Sequence, residues 1–382
     1  MKVQSDNPVS VRPHSLAEVL PVFERLERGE SVALVPPGGS GEISPPPGEG
    51  GRAWLGVTSS GSTGRPKLVW RDWETLKAGA SHAERVRGWR WASPYDPWSF
   101  AGAQVAVQAW FGGGAVVTLR GDWPEIWRML EEQSVEALSC TPTFADLLLQ
   151  NEPAESGWTP RQITLGGEPL REAAGARLRR RWPETRFLAI YAAAEFGVLL
   201  KTSRLDGWYE LEGLEQRWPH WRIQKSGGAE GRKSGGAEEQ GGRGAEERRS
   251  RGGLELGERL AGGQMVWRST GDEVEVLGRL IRIIGRADQV ANVAGTKVSL
   301  AEVAAQAEAV SGVRRAMAVA RPNPVTGQVV ALRFALEPGA DEASVRERLE
   351  ATLRERLPKP AWPRDWTRDE VGLGHNAKRA LK

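Results

Sequence analysis

Between residues 54 and 200 the chain alternates short apolar runs with amphipathic helical stretches, and this pattern admits few folds. Apolar runs at 114–119, 137–139, 162–164 and 186–190 have strand length. The segments 123–133, 143–150 and 172–182 carry apolar residues at helical spacing. Such alternation argues for an α/β sheet with helices packed on its faces. Upstream, 16–27 reads as an amphipathic helix and 31–35 as a short strand. A Pro/Gly-rich passage follows at 36–51, then a strand at 54–58 that runs straight into a Gly/Ser/Thr loop. Further on, 273–276 and 279–284 alternate as strands do, and the style then changes. A helical pattern at 298–310, strands at 316–320 and 328–335 and a charged amphipathic helix at 344–357 form an α+β tail. The domain boundary is drawn at Asp288, separating 1–287 from 288–382.

Composition narrows the function classes. Net charge is +3, and no block of Lys and Arg is interleaved with aromatics, so no nucleic-acid partner is expected. Arg179, Arg180 and Arg181 end a helical segment, where cations complement the helix dipole. Cys140 is the single cysteine, which leaves no intrachain disulfide and no cysteine zinc site. The first residues lack an apolar signal core, and no run reaches the roughly 18 apolar residues of a membrane span, so a cytoplasmic location is expected. The 17 tryptophans read as amphipathic packing and as pocket walls, two roles that sequence does not separate. From 225 to 253 the composition is Gly, Glu, Arg, Lys and Ser, with KSGGAEGR followed at once by KSGGAEEQ. With so little apolar surface to bury, this stretch reads as a disordered, low-complexity loop.

The segment 58–67 reads TSSGSTGRPK and follows a strand. Gly61 and Gly64 let the backbone approach an anion closely. The hydroxyls of Ser60, Ser62 and Thr63 can donate to phosphate oxygens, and Lys67 adds a charge. It is no Walker loop, because Gly64 is followed by Arg-Pro-Lys rather than Lys and a hydroxyl residue. SSGSTGRPK resembles the phosphate-binding signature of the adenylate-forming (AMP-binding) superfamily: acyl-CoA synthetases, nonribosomal-peptide adenylation domains and beetle luciferases.

Further signatures follow in family order, and the resemblance covers residues 54–382 apart from the insert. Gly166-Gly-Glu-Pro169 resembles the adenine-side loop, which implies that backbone groups of Gly167, Glu168 and Pro169 line the purine. YAAAE at 191–195 resembles the Y-G-x-T-E motif, with Ala192 and Ala194 in place of Gly and Thr. The resemblance puts Tyr191 against the adenine and makes Glu195 both a catalytic carboxylate and the Mg2+ ligand; a hard cation suits an oxygen ligand beside phosphates. Thr270-Gly-Asp272 and Gly285-Arg-Ala-Asp288 resemble the paired ribose motifs, with Asp272 and Arg286 on the sugar hydroxyls. A carboxylate can accept from both hydroxyls of a cis-diol. The passage 289–303 resembles the family's hinge-following motif, with Asn292 for a common Lys, and implies that Gly295 meets the pantetheine arm of a thiol acceptor. Near the C-terminus, Lys378 matches the catalytic lysine that meets the reacting carboxylate and α-phosphate, with Ala377 before it where Gly is usual. The passage 94–102 matches a segment bordering the acyl pocket, but Trp98 and Phe100 fall where the family carries a His.

The resemblance implies a large N-terminal α/β domain with layered sheets and helices, plus a small mobile α+β C-terminal domain acting as a lid. It implies an acid–thiol ligase that uses ATP, Mg2+ and coenzyme A to activate a small-molecule carboxylic acid through an acyl-adenylate. The compact length is similar to that of o-succinylbenzoate–CoA ligases of menaquinone biosynthesis. Two alternatives stand beside it: a stand-alone adenylation enzyme loading a separate carrier protein, and a degenerate nucleotide binder without catalysis.

Overall fold

The computed structural model describes residues 8–38, 43–47, 52–59, 67–80, 83–224, 230–233, 249–260, 263–286 and 289–368. The chain divides after Gly207 into two compact units.

The first unit opens with a four-stranded sheet of β1 (Val9–Val11), β2 (Val32–Leu34), β3 (Trp54–Ser59) and β4 (Lys67–Asp72). β1, β2 and β3 are parallel, and β4 turns back antiparallel on β3. Helix α1 (Leu20–Glu27) buries Val22, Phe23 and Leu26, positions that share one face of a helix. They pack with Leu34, Leu55 and Val57 and with helix α2 (Trp73–Gly79), where the rings of Phe23 and Trp73 stack at 5.3 Å. Asp72 caps α2 by accepting from the Thr75 N–H.

A six-stranded sheet follows, built from β5 (Arg90–Ser93), β6 (Ala115–Thr118), β7 (Ala137–Cys140), β8 (Gln162–Gly166), β9 (Arg186–Ala193) and β10 (Gly197–Thr202). Its order is β10-β9-β8-β7-β5-β6, all parallel except β10. Helices α3 (Phe100–Phe111), α4 (Trp123–Glu132), α5 (Pro142–Gln150) and α6 (Glu172–Arg181) lie between the strands in sequence. Ser99, Asp122 and Thr141 cap α3, α4 and α5. The mixed α/β architecture expected from the alternation is therefore present. Trp127, Trp158 and Trp182 form successive edge-to-face pairs at 5.8 and 5.6 Å, so these tryptophans are core, not pocket wall. Gly175 lies where α6 crosses the chain at Leu205, and an added Cβ would overlap the Leu205 carbonyl. Gly175→Ala should cost about 1–3 kcal/mol by overpacking, more than the roughly 1 kcal/mol that Ala gains in a helix. A lower urea midpoint would register it, and an unchanged midpoint would show that the crossing yields.

The second unit begins with β11 (Trp208–Glu210), helix α7 (Leu211–Arg217), β12 (His220–Gln224), β13 (Glu230–Lys233), β14 (Arg249–Arg259), β15 (Met265–Leu277) and β16 (Leu280–Arg286). These strands form an antiparallel sheet ordered β11-β16-β15-β14-β12-β13. The stretch 225–253, read as a disordered loop, needs correction. β13 pairs with β12, and residues 249–253 open β14. Backbone hydrogen bonds order these residues without apolar side chains, a contribution that composition does not register. Residues 225–229 and 234–248 lie outside the described residues.

Within β15, Glu275 is wholly buried yet ionically paired. Arg251 on β14 and Arg282 on β16 flank it, and Arg251 also reaches Glu302 at 2.7 Å. Burial pushes the Glu275 carboxyl upward, but the two guanidinium groups outweigh it and leave it below the usual carboxylate range.

A second sheet of this unit holds β17 (Val290–Val293), β18 (Thr296–Ser299), β19 (Val313–Asn323), β20 (Gly327–Leu336) and β21 (Asp365–Arg368), with helices α8 (Leu300–Glu308) and α9 (Glu342–Arg356). Val345, Leu349 and Leu353 repeat every fourth residue on α9 and pack with Val303, Ala307, Leu332 and Phe334. The helical pattern read over 298–310 begins later, because Val298 pairs in β18 and Ser299 caps α8 by accepting from the Glu302 N–H. The boundary drawn at Asp288 falls where the two sheets of this unit join, and residues 287 and 288 lie outside the described residues.

Candidate active site

Open parallel sheets bind ligands beyond the carboxyl ends of their strands. At that edge of the first unit, several of the expected site residues come together. β8 ends at Gly166, which pairs with Ile190, the residue before Tyr191 on β9. Gly167 follows with φ of +80°, a left-handed conformation that L side chains resist. The turn is then pinned twice. The Tyr95 hydroxyl donates to the Gly166 carbonyl at 2.9 Å. The Glu168 carboxylate accepts from the Thr143 N–H at 3.3 Å and from the Thr143 hydroxyl. Thr143 lies in the first turn of α5, where an anion is favoured by the helix dipole. The Glu168 side chain therefore braces the loop whose backbone was expected to line a purine. Burial raises the Tyr95 phenol well above its usual range, which keeps it a proton donor. Burial likewise pushes the Cys140 thiol up, so it stays unreactive.

Tyr191 is buried on β9, and a turn at 194–196 carries Glu195 to β10. Glu195 is exposed and makes no ion pair among the described residues. Its carbonyl accepts from Arg71 Nη1 at 2.9 Å, tying this turn to β4. The pair Ser59–Lys67 closes the β3–β4 ladder at the base of the Gly/Ser loop. The loop residues Ser60, Gly61, Ser62, Thr63 and Gly64 lie outside the described residues, as does Lys378. The Thr58 N–H donates to the Trp98 carbonyl at 2.8 Å, which brings the His-less passage to the end of β3. Trp98 there packs against the apolar cluster that includes Phe100 and Ala194.

Arg71 and Tyr95 were not anticipated. An arginine inside a strand otherwise headed Leu-Val-Trp was the available signal for the first. Burial pulls the Arg71 guanidinium below the usual arginine range, against the pull of Asp72 and Glu195. Its Nε is shut from solvent without a partner among the described residues.

In the second unit, Asp272 and Arg286 are register partners on β15 and β16, with Arg286 Nη1 at 3.5 Å from the Asp272 carboxylate. Arg286 Nη1 also donates to the Thr270 carbonyl at 3.3 Å. The Thr270 hydroxyl accepts from the Asp272 N–H and donates to the Leu254 carbonyl, fixing the corner. Gly271 has φ of +73°, and a Cβ there would come 2.6 Å from Arg286 Nη2. The pair thus presents a carboxylate and a guanidinium side by side, which suits vicinal hydroxyls. Gly295 and Ala294 have φ of +83° and +49° at the β17–β18 turn. A two-residue hairpin turn with both φ positive explains that glycine by itself.

No group of three or more His, Cys, Asp or Glu that could hold a metal occurs among the described residues. Mg2+ nevertheless fits Glu195, because this ion takes one or two carboxylates and completes its shell with phosphates and water. No helix among the described residues is long and apolar enough to cross a membrane.

No curated protein matches the chain. Solved structures of similar fold include the amide bond synthetase McbA from Marinactinospora thermotolerans, at TM-score 0.57 and 20% identity over 92% of this chain and 74% of that one. The anthranilate CoA ligase AuaEII in complex with anthranoyl-AMP is similar at TM-score 0.59 and 15% identity, over 92% of this chain and 73% of that one. The o-succinylbenzoate CoA synthetase MenE from Bacillus subtilis, in complex with the acyl-adenylate OSB-AMP, is similar at TM-score 0.56 and 17% identity, over 86% of this chain and 67% of that one. At such identities the likeness is one of fold, but the model of the AMP-binding enzymes matches residues 33–224, half of the 382 residues, and the chain belongs to that family.

Proposed function

We propose that the chain is an ATP-dependent carboxylic acid–CoA ligase that works through an acyl-adenylate, with o-succinylbenzoate the first acid to try. The observation that carries this reading is the braced edge of the first unit, where the Gly167–Pro169 turn, Tyr191 and Glu195 lie at the ends of the neighbouring strands β8 and β9. Turn and tyrosine offer a backbone edge and a ring for the adenine. Glu195 would hold Mg2+, which supplies positive charge at the phosphates when bound. Asp272 and Arg286 take the ribose hydroxyls.

In the first half-reaction a carboxylate oxygen attacks the α-phosphorus of ATP, forming the mixed anhydride as the bond to pyrophosphate breaks. Both reactants are anionic, so fixed cations and fixed geometry carry the catalysis. Lys67 and Lys378 are assigned that charge, and the loop residues Ser60–Gly64 its hydrogen bonds. In the second half-reaction a coenzyme A thiolate attacks the acyl carbon and AMP leaves. We assign residues from Asp288 onward the role of a lid that brings Lys378 for the first step and Gly295 for the second. The cytoplasm is the compartment proposed, since it supplies both ATP and coenzyme A.

The test is pyrophosphate release from ATP and Mg2+ with a panel of acids, each with and without coenzyme A. The panel includes o-succinylbenzoate, benzoates and short to long fatty acids. Release driven by one acid, with its CoA thioester formed, is the expected outcome. Acid-dependent release indifferent to coenzyme A would assign the acyl group to a carrier protein or another acceptor. No release from protein that binds ATP would make the chain a degenerate binder.

A further inference from the structure

Arg71 contacts the Glu195 turn in a way that simple packing does not require. It lies on β4 opposite Leu55, with its guanidinium 5.9 Å from the centre of the Phe100 ring. Nη1 donates to the Glu195 carbonyl, and Nη2 lies so near Gly197 that a Cβ there would come within 2.7 Å. Gly197 has φ of +77°, so this glycine serves both the turn and the close approach of the cation. Nε is buried with no acceptor among the described residues. A guanidinium carries five N–H donors, and among the described residues one hydrogen bond is made, to the Glu195 carbonyl. Ser or Thr, or a neutral amide, would serve a merely structural bond. The cation here binds the backbone of residue 195 while leaving the carboxylate unpaired among the described residues.

We infer that Arg71 is a positioning residue for Glu195, holding its turn so that the free carboxylate meets a divalent cation on the nucleotide phosphates. The inference rests on the ligase reading above, and it assigns a role to a residue that none of the signatures contains. A bond to the carboxylate itself would compete with the metal; a bond to the carbonyl orients the residue without neutralising it. Ala194, where the family pattern has Thr, offers no side-chain hydroxyl to this turn, so the anchor comes instead from β4.

Calorimetric titration of ATP into the full chain, once with Mg2+ and once with EDTA, separates positioning from plain stabilisation. Arg71→Gln should weaken MgATP binding about tenfold, a coupling of ordinary size for contacting groups, and leave metal-free ATP nearly unaffected. In an E195Q background the same substitution should add nothing. Arg71→Lys keeps the charge and an N–H donor for the Glu195 carbonyl and should recover most of the affinity. It also serves as the readable variant if R71Q fails to fold, since a several-fold loss confined to MgATP is then expected. Equal losses with and without Mg2+, or losses that add to those of E195Q, would overturn the inference alone. A wild-type chain that binds neither form of ATP would overturn the ligase reading and take this inference with it.

Discussion

Replacing Lys378 by Ala should lower acid-dependent pyrophosphate release by roughly 10²–10³-fold, the usual effect of removing a group aimed at charge developing in a transition state. Attack of coenzyme A on a supplied acyl-adenylate should proceed at close to the wild-type rate. The asymmetry follows from electrostatics. Bringing a carboxylate onto an anionic α-phosphate needs a cation between them, whereas the second step starts from a neutral acyl carbon and expels AMP. Lys378 lies outside the described residues, so its assignment rests on the resemblance of the C-terminal segment. Separate assays of the two half-reactions check it. Equal loss in both would move Lys378 from catalysis to general structure.

Glu275→Gln should destabilise the second unit by about 3 kcal/mol at neutral pH, the lower end for breaking a buried ion pair. The lower end applies because Arg251 and Arg282 are 32% and 37% exposed while Glu275 is 0% exposed. Loss of one carboxylate leaves two guanidinium groups facing each other across β15, and Arg251 then keeps its pair with Glu302. The pH dependence has a definite sign. Glu275 titrates lower in the folded chain than in the unfolded one. Its contribution is therefore complete above the ordinary glutamate value of 4.5 and fades as pH falls through the lowered folded value. Urea titrations of wild type and variant, followed by tryptophan fluorescence, should show midpoints that differ widely at pH 7 and converge in acid. A difference that persists unchanged in acid would mean that shape, not charge, keeps Glu275.

Much of the sheet of the first unit was legible because its strands are short apolar runs between helices with clear stripes. α4 and α6 end within a residue of where the pattern placed them, at Glu132 and Arg181. α3 was missed for a physical reason: FAGAQVAVQAWF is apolar around most of its circumference, so no stripe marks it as a helix. β4 was absorbed into the loop signature it follows. At the site, the spacing of Tyr191 and Glu195 survives in a local motif and could be read. Arg71 could not, since its partner lies 124 residues away. Arg251 was hidden differently, inside a stretch whose composition reads as unstructured, although its charge meets the buried Glu275. The start of α8 was readable after all. Ser299 and Glu302 stand three apart as a capping pair should, a stronger signal than the apolar periodicity that placed the start at 298.

The position of β13 bears on how this chain can vary in length. Among the described residues it is the outermost strand of its sheet and pairs with β12 alone, while the next strand in sequence returns to the opposite side of β12. No other strand among the described residues depends on it for pairing. The repeated octapeptide, KSGGAEGR then KSGGAEEQ, begins just before it. β13 itself is made of repeat residues, so tandem duplication or loss of such a unit would change this edge strand and its connection and not a core, and doubling the length of a loop costs only about 0.6 kcal/mol in closure entropy. Orthologues are therefore expected to differ here by whole repeats while the flanking strands stay in register, and a reporter domain spliced at this point should leave the rest of the molecule folded.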